Sequence, residues 1–292
     1  MARKTRASAA DATSVADPST ERTPEGPASY NMLGHTAPFR RPTTDVPRMH
    51  WTAGKGGGGK TATATSLHSV LAGSGIATVL ARQAMAQPTK DRSVVLFDLD
   101  VANPSFQRYF DLPAEQVCGT LDAFLMGQLL QHTLLPILAN GYSILGDLGG
   151  SGEVSGFDFV EENGLSELLG ESVVSHAMIG SLDSVGTAQS IASRAPHMPV
   201  ILYLNQKEPE LRMVLNDPAS RDLLEEVLAL PNVLGALDLP DLRAAFAISS
   251  RTFRTLHDAT SHDRLSLIER QICRAALQRV KTAFAPAAAW MP

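Results

Sequence analysis

Cysteine is almost missing from this chain: Cys118 and Cys273 are the only two in 292 residues. Two thiols cannot build a disulfide framework or a cysteine-rich metal centre, and they fit a reducing cytoplasm. Also lacking is any uninterrupted apolar run of about 18 residues, so no membrane span is expected. The basic opening, Ala2, Arg3, Lys4 and Arg6, leads into no apolar segment, and the secretory pattern is therefore missing too. We find no internal repeat. Apolar periodicity is absent from the first 47 residues, which hold Pro18, Pro24, Pro27, Pro38, Pro42 and Pro47. Such a segment cannot bury enough surface to offset its ordering entropy, and residues 1–47 read as a disordered tail.

What is present is a 44% share of hydrophobic residues, enough for a sizeable core in one large α/β domain or at most two. From Met49 onward, short apolar runs alternate with helical stretches. "VVLFDLD" (94–100), "YSILGDLGG" (142–150), "ESVVSHAMIG" (171–180), "MPVILYLNQ" (198–206) and "PNVLGALDLP" (231–240) read as strands of a buried parallel sheet. "TATATSLHSVLAG", "LDAFLMGQLLQHTLLPILAN", "TAQSIASRA" and "DPASRDLLEEVLAL" lie between them at crossover spacing. The expected fold class is α/β, a doubly wound, mostly parallel sheet. The expected domain covers 48–285, residues 261–284 form one last amphipathic helix, and 286–292 are a flexible end.

The densest chemistry lies in "WTAGKGGGGKTATATS", residues 51–66. Four consecutive glycines cost backbone entropy, so a folded domain keeps them only where side chains must be absent. Gly54, Gly59, Lys60 and Thr61 satisfy G-x-x-x-x-G-K-[ST], the P-loop spacing. Backbone N–H groups from Gly54 through Gly56, Gly57, Gly58 and Gly59 to Ala62 would converge on a β-phosphate, with the following helix dipole behind them. Lys60 would neutralise phosphate charge, and the Thr61 hydroxyl would hold Mg²⁺. The competing reading is a flexible linker that happens to precede Lys-Thr. The preceding strand, "MHWTA", is short and rather polar for the centre of a sheet.

Two carboxylate segments follow. Asp98 and Asp100 end the run "VVLFDLD", at the edge where α/β sheets collect ligands; two turn-forming aspartates closing a strand are the alternative. Asp147 ends "YSILGDL" and begins D-x-x-G with Gly150, where the carboxylate would accept from Mg²⁺-bound water and the glycine N–H would face a γ-phosphate. Ordinary turn chemistry competes there as well.

The pattern "GKGGGGKT" resembles the deviant Walker A loop of the ParA/MinD family of ATPases. That resemblance implies a P-loop ATPase domain, ATP and Mg²⁺ as cofactors, and an ATP-dependent homodimer in which Lys55 reaches the partner's nucleotide. It gives Asp100 the orientation of the attacking water or of the metal shell, with Asp98 supporting, and it assigns Asn205 and the "LPDL" at 239–242 to the base. "RMHWTAGKGGGGKT", "DLDVANPSF" with Asn103, "GDLGGSGEVSG", "LYLNQ" and "TFRTLHDATSHDRLSLIERQ" are closer to conjugal-transfer and plasmid-stability ATPases of TraL/StbB type. The chain departs from the pattern at Val101, at Gly58, and in a longer segment after Thr61, where "GIATVLARQAMAQPTKDR" reads as an extended helix.

The function expected is therefore an ATP-dependent dimerising switch acting on DNA or on a conjugation or partition protein. A non-hydrolysing nucleotide-gated adaptor and a P-loop amide-forming ligase are the alternatives, and Lys55 argues against the ligase. Residues 242–292 carry eight Lys/Arg against three Asp/Glu on a chain of net charge −5. Leu265, Ile268, Ile272, Ala276 and Ala283 are expected to face the core, with Arg270, Arg274 and Lys281 as an outer basic stripe for DNA.

Overall fold

Seven short segments pair into one sheet: β1 Met49–Ala53, β2 Ala77–Val79, β3 Ser93–Leu99, β4 Ser143–Leu148, β5 Val173–Ile179, β6 Val200–Asn205 and β7 Val233–Leu239. The spatial order is β2-β3-β4-β1-β5-β6-β7, and every neighbouring pair is parallel. The computed structural model describes residues 39–54, 59–100, 103–118, 123–251 and 255–292, with the side chains of 123 and 150–155 left aside. The expected tail thus lies outside the described residues up to 38. From 39 the chain is placed, and Glu171 accepts hydrogen bonds from the Thr43 N–H and hydroxyl.

Parallel pairing forces crossovers, and the helices fill both faces of the sheet. Along the chain they are α1 Lys60–Gly73, α2 Ala81–Ala86, α3 Ser105–Phe110, α4 Ala123–Leu129, α5 Leu135–Ala139, α6 Gly150–Glu162, α7 Leu165–Leu169, α8 Leu182–Arg194, α9 Glu210–Asn216, α10 Pro218–Leu228, α11 Arg243–Ser249, α12 Leu256–Ala259 and α13 Leu267–Phe284. A π-helical turn, Leu130–Leu134, joins α4 to α5. One core includes Trp51, Phe97, Ile144, Val160, Ile191 and Leu224. The other, beneath α1 and α13, includes Leu67, Leu96, Phe106, Tyr203, Val280 and Trp290. Strand β1 sits between β4 and β5, so chain direction across the sheet reverses beside it. Ligands bind at such a reversal, at the carboxyl edge of the strands.

Three expectations change. The segment after Thr61 is not an extended helix: α1 ends at Gly73, and β2 and the short α2 follow. Only three residues of β2 pair, and two of them are exposed, which is why no apolar run marked it. The flexible end is also overturned, because Ala285–Trp290 forms a 3₁₀ turn and Trp290 is fully buried, its indole N–H donating to the Arg40 carbonyl. Helix α13 begins only at Leu267, behind the capping box of Ser266 and Glu269. Its buried face is Cys273, Ala276, Leu277, Val280 and Phe284, and Ile268 is 74% exposed. The basic stripe is correspondingly rotated: Arg274 is exposed, Arg270 and Lys281 are half-buried, and Arg279 joins the solvent face.

The polar character of β1 has an internal explanation. His50 Nδ1 lies 2.9 Å from His176 Nε2, and His176 Nδ1 lies 2.9 Å from the Tyr203 hydroxyl. This ladder crosses β1, β5 and β6 at full burial and links their register through side chains. Burial holds both imidazoles neutral, with His176 pushed down to about 3, and it lowers His68 to about 4. In the unfolded chain each recovers its ordinary value near 6.5, so acid is taken up by the unfolded state. The buried carboxyls Asp98 and Asp147 are shifted upward and oppose this with at most two protons against three. Stability should therefore fall by about 1–3 kcal/mol per pH unit between pH 6.5 and 4.5. Denaturant titrations across that range check it, and a profile that stays flat would rule out the neutral ladder.

Candidate functional site

Both ends of the glycine loop are fixed by backbone geometry. Gly54 has φ 137°, and a Cβ there would stand 3.1 Å from the Met178 Cβ on β5. Gly59 has φ 101°, and its Cβ would meet the Asn205 amide nitrogen at 2.7 Å. An L-side chain is strained at both positions. Lys55, Gly56, Gly57 and Gly58 lie outside the described residues, so the second lysine is not placed. Beyond the loop, α1 starts at Lys60, and its first turn carries Thr61 and Ala62 at the carboxyl edge of β1. The Lys60 ammonium folds back to donate to the Gly54 carbonyl at 2.7 Å.

Asp147 is the centre of the arrangement. At the end of β4, paired with Thr52 of β1, it is 2% exposed. Its Oδ1 accepts from the Thr52 hydroxyl at 2.8 Å and its Oδ2 from the Thr61 hydroxyl at 2.5 Å. The Thr61 Oγ1 also lies 2.8 Å from the Ser105 Oγ at the start of α3. Since Thr61 gives its one proton to Asp147, Ser105 is the donor to Thr61. Burial pushes the Asp147 carboxyl up to about 6, with nearby Asp98 adding to the rise and the two hydroxyls and Lys60 opposing it.

The other carboxylates are arranged around the same edge. Asp98 spends its oxygens on backbone donors, Oδ1 from Asp100 N at 3.0 Å and Oδ2 from Gln107 N at 2.7 Å. It therefore shapes the turn that carries Asp100 and anchors α3. Burial raises its pKa despite those two bonds. Asp100 accepts from Asn103 N at 3.1 Å and lies against the turn after β4: a Cβ on Gly149 would be 2.7 Å from the Asp100 carboxyl carbon. Gly150 opens α6 directly after that turn. Asp98, Asp100, Asp147, Lys60, Thr61 and Gly150 thus lie along one edge of the sheet.

Asn205 ends β6 and accepts from Lys207 N at 3.2 Å. It lines a cavity of about 310 Å³ with Gly59, Ala62, Tyr109, Leu239 and Phe246. The "LPDL" segment contributes Leu239, Pro240 and Leu242 to the same walls. Thr52, Ser105 and Tyr109 were not singled out in the sequence. For Thr52 a signal existed: the polar positions of "MHWTA" alternate with apolar ones, so His50 and Thr52 share a face. Ser105 and Tyr109 belong to a six-residue helix with no strong pattern of its own.

For Mg²⁺ the donor set fits: Thr61 Oγ1, Ser105 Oγ and the Asp147 carboxylate are hard oxygens at one spot, and the carboxylate is buried with its charge only partly answered. Among the described residues no three or more His, Cys, Asp or Glu are arranged so that they could hold a metal ion by themselves. A phosphate-bound Mg²⁺ does not need one, because it keeps waters and substrate oxygens as ligands.

The Asp147 shift sets a stability test. A carboxyl raised from 3.8 to about 6 favours the fold while protonated, and that contribution is lost as pH rises through 6. Asp147→Asn should therefore stabilise the ligand-free protein by about 1–3 kcal/mol at pH 8, with the gain vanishing towards pH 4. Urea titrations of both proteins at the two pH values measure it; equal stabilities at pH 8 would mean the carboxylate is well compensated.

No protein-family model matches the chain, and no curated protein is significantly similar to it.

Proposed function

We propose that the chain is an ATP-dependent dimerising molecular switch, a slow Mg²⁺-ATPase of ParA/MinD type serving plasmid conjugal transfer, partition or stability in the cytoplasm. The observation that carries this reading is the meeting of Lys60 and Thr61, at the head of α1, with a buried carboxylate from the neighbouring strand. A desolvated Asp147 held by two hydroxyls has little structural use of its own, since an apolar pair would fill β1 and β4 at lower cost.

In this reading the roles follow from position. Lys60 exchanges its bond with the Gly54 carbonyl for phosphate oxygens, and the N–H groups at the start of α1 add their dipole. Thr61 and Asp147 would hold Mg²⁺, which would supply positive charge against the phosphates. Asp100 positions the attacking water, with Asp98 fixing the turn beneath it. Gly150 offers its N–H towards the γ-phosphate. The cavity at Asn205 takes the base, with Leu239 and Phe246 as apolar walls. Lys55 serves the partner subunit's nucleotide in the homodimer. Arg274 and Arg279 on the solvent face of α13 are the positions from which a DNA backbone would be touched, and an acidic conjugation or partition protein would meet the same surface.

Three substitutions test the assignment. Lys60→Ala should abolish Mg-ATP binding in a calorimetric titration, because the phosphate charge loses its counter-ion; retained affinity would remove the nucleotide assignment. Lys55→Ala should bind ATP within a few fold of the parent yet stay monomeric in light scattering with a non-hydrolysable analogue. Asp100→Ala should dimerise with ATP and release no phosphate, and a parental rate of phosphate release would move the catalytic carboxylate elsewhere.

A further inference from the structure

A cavity of about 860 Å³ lies at the opposite end of the sheet, where β1, β3 and β4 begin. Arg41, Arg48, Lys90 and Arg92 line it, against two acids, Asp45 and Asp91. Those cations outnumber the negative groups, Asp45, Asp91 and the carboxylate of the last residue, Pro292, by one, on a protein whose net charge is −5. Arg48 is the unusual member. Its side chain is 4% exposed, it donates to the Thr44 carbonyl, and its guanidinium lies 5.4 Å from the Trp290 ring centre. Its Nε is buried without a hydrogen-bond acceptor among the described residues. Glu171 acts on it by charge and spends one carboxylate oxygen on Thr43. Burial depresses the Arg48 pKa, and the charges of Glu171 and Asp45 only partly offset that.

A guanidinium is a rigid fork of donors, and leaving one unanswered in a desolvated place is costly. An oxyanion in the cavity would bring negative charge to the guanidinium, and the surrounding cations would share its second charge. We infer that this cavity binds a small phosphate monoester, whose charge of about −1.5 to −2 at neutral pH the lining cations would share. The phosphoryl group sits against Arg48 with Lys90, Arg92 and Arg41 at the rim, and the remaining volume takes the organic body of the ester. Arg92 already gives one donor to the Pro292 oxygen at 2.5 Å, which fixes its side chain at the cavity wall. The site is independent of the P-loop: its residues precede the strands whose far ends carry Lys60, Asp98 and Asp147.

The test is calorimetry on the full chain carrying Lys60→Ala, in which the candidate P-loop is silenced, with inorganic phosphate and ribose 5-phosphate as probes. Saturable one-to-one binding of both is expected, tighter for the ester and weakened by salt. Arg48→Met should abolish it. Because Arg48 also packs on Trp290, a second variant, Lys90→Ala with Arg92→Ala, changes only exposed side chains and should weaken binding by about tenfold or more. Parental affinity in either variant, or no saturable binding of either probe at millimolar concentration, overturns the proposal. If Lys60→Ala removes ATP binding while the phosphate ester still binds, the two sites are separate, and each stands or falls alone.

Discussion

A carboxylate taken out of water must be answered by donors, and Asp147 is answered from two directions at once. Thr52 reaches it along the sheet from β1, and Thr61 reaches it from the first turn of α1. These bonds fix where the helix starts relative to both strands, and hence where the loop between Gly54 and Gly59 must turn. Lys60 follows, because the residue before Thr61 in that turn is carried towards the Gly54 carbonyl. Ser105 extends the same network to α3, whose Gln107 N–H holds Asp98 and whose Tyr109 lines the neighbouring cavity. Movement of α3 therefore cannot be separated from the Asp147 cluster.

Much of this was legible, for physical reasons that differ by element. Five strands announced themselves as apolar runs because a parallel sheet covered on both faces needs no alternation. The loop was legible because glycine at two left-handed positions has no cheap substitute. Strand β1 was harder, since His50 and Thr52 break its apolar pattern, and their partners His176 and Asp147 come from segments about 95 residues or more away. Edge strand β2 was illegible because its exposure removes the pressure for apolar residues.

At the C-terminal end two expectations failed in part, at the start of α13 and after its end. Of the expected inner face, Leu265 and Ala276 are buried and Ile272 and Ala283 pack half-buried on the core, whereas Ile268 lies in the exposed first turn of α13 and Cys273, Leu277, Val280 and Phe284 complete the true face. Ser266 followed by Glu269 three residues on was the available correction, since a capping box marks the first turn. The Ala/Pro-rich ending misled for another reason: composition suggested looseness, whereas one large side chain, Trp290, decides the matter by burying itself beneath Arg40 and Arg48.

The two edges of the sheet also differ in sign, with Asp98, Asp100 and Asp147 at one and Arg41, Arg48, Lys90 and Arg92 at the other. Topology accounts for part of this. Crossover helices run against the strands, so their positive ends gather at the carboxyl edge and their negative ends at the amino edge, where cations are favoured. That effect is about 0.3–1 kcal/mol for an exposed charge, enough to place Lys90 or Arg92. It falls short of the several kcal/mol that desolvating a guanidinium costs, so it leaves Arg48 unexplained. The ring of Trp290 returns about 2 kcal/mol at most in such a setting, and one carbonyl contact adds a similar amount. Glu171 and Asp45 offset part of the remainder through charge, and an anion in the cavity would add to them.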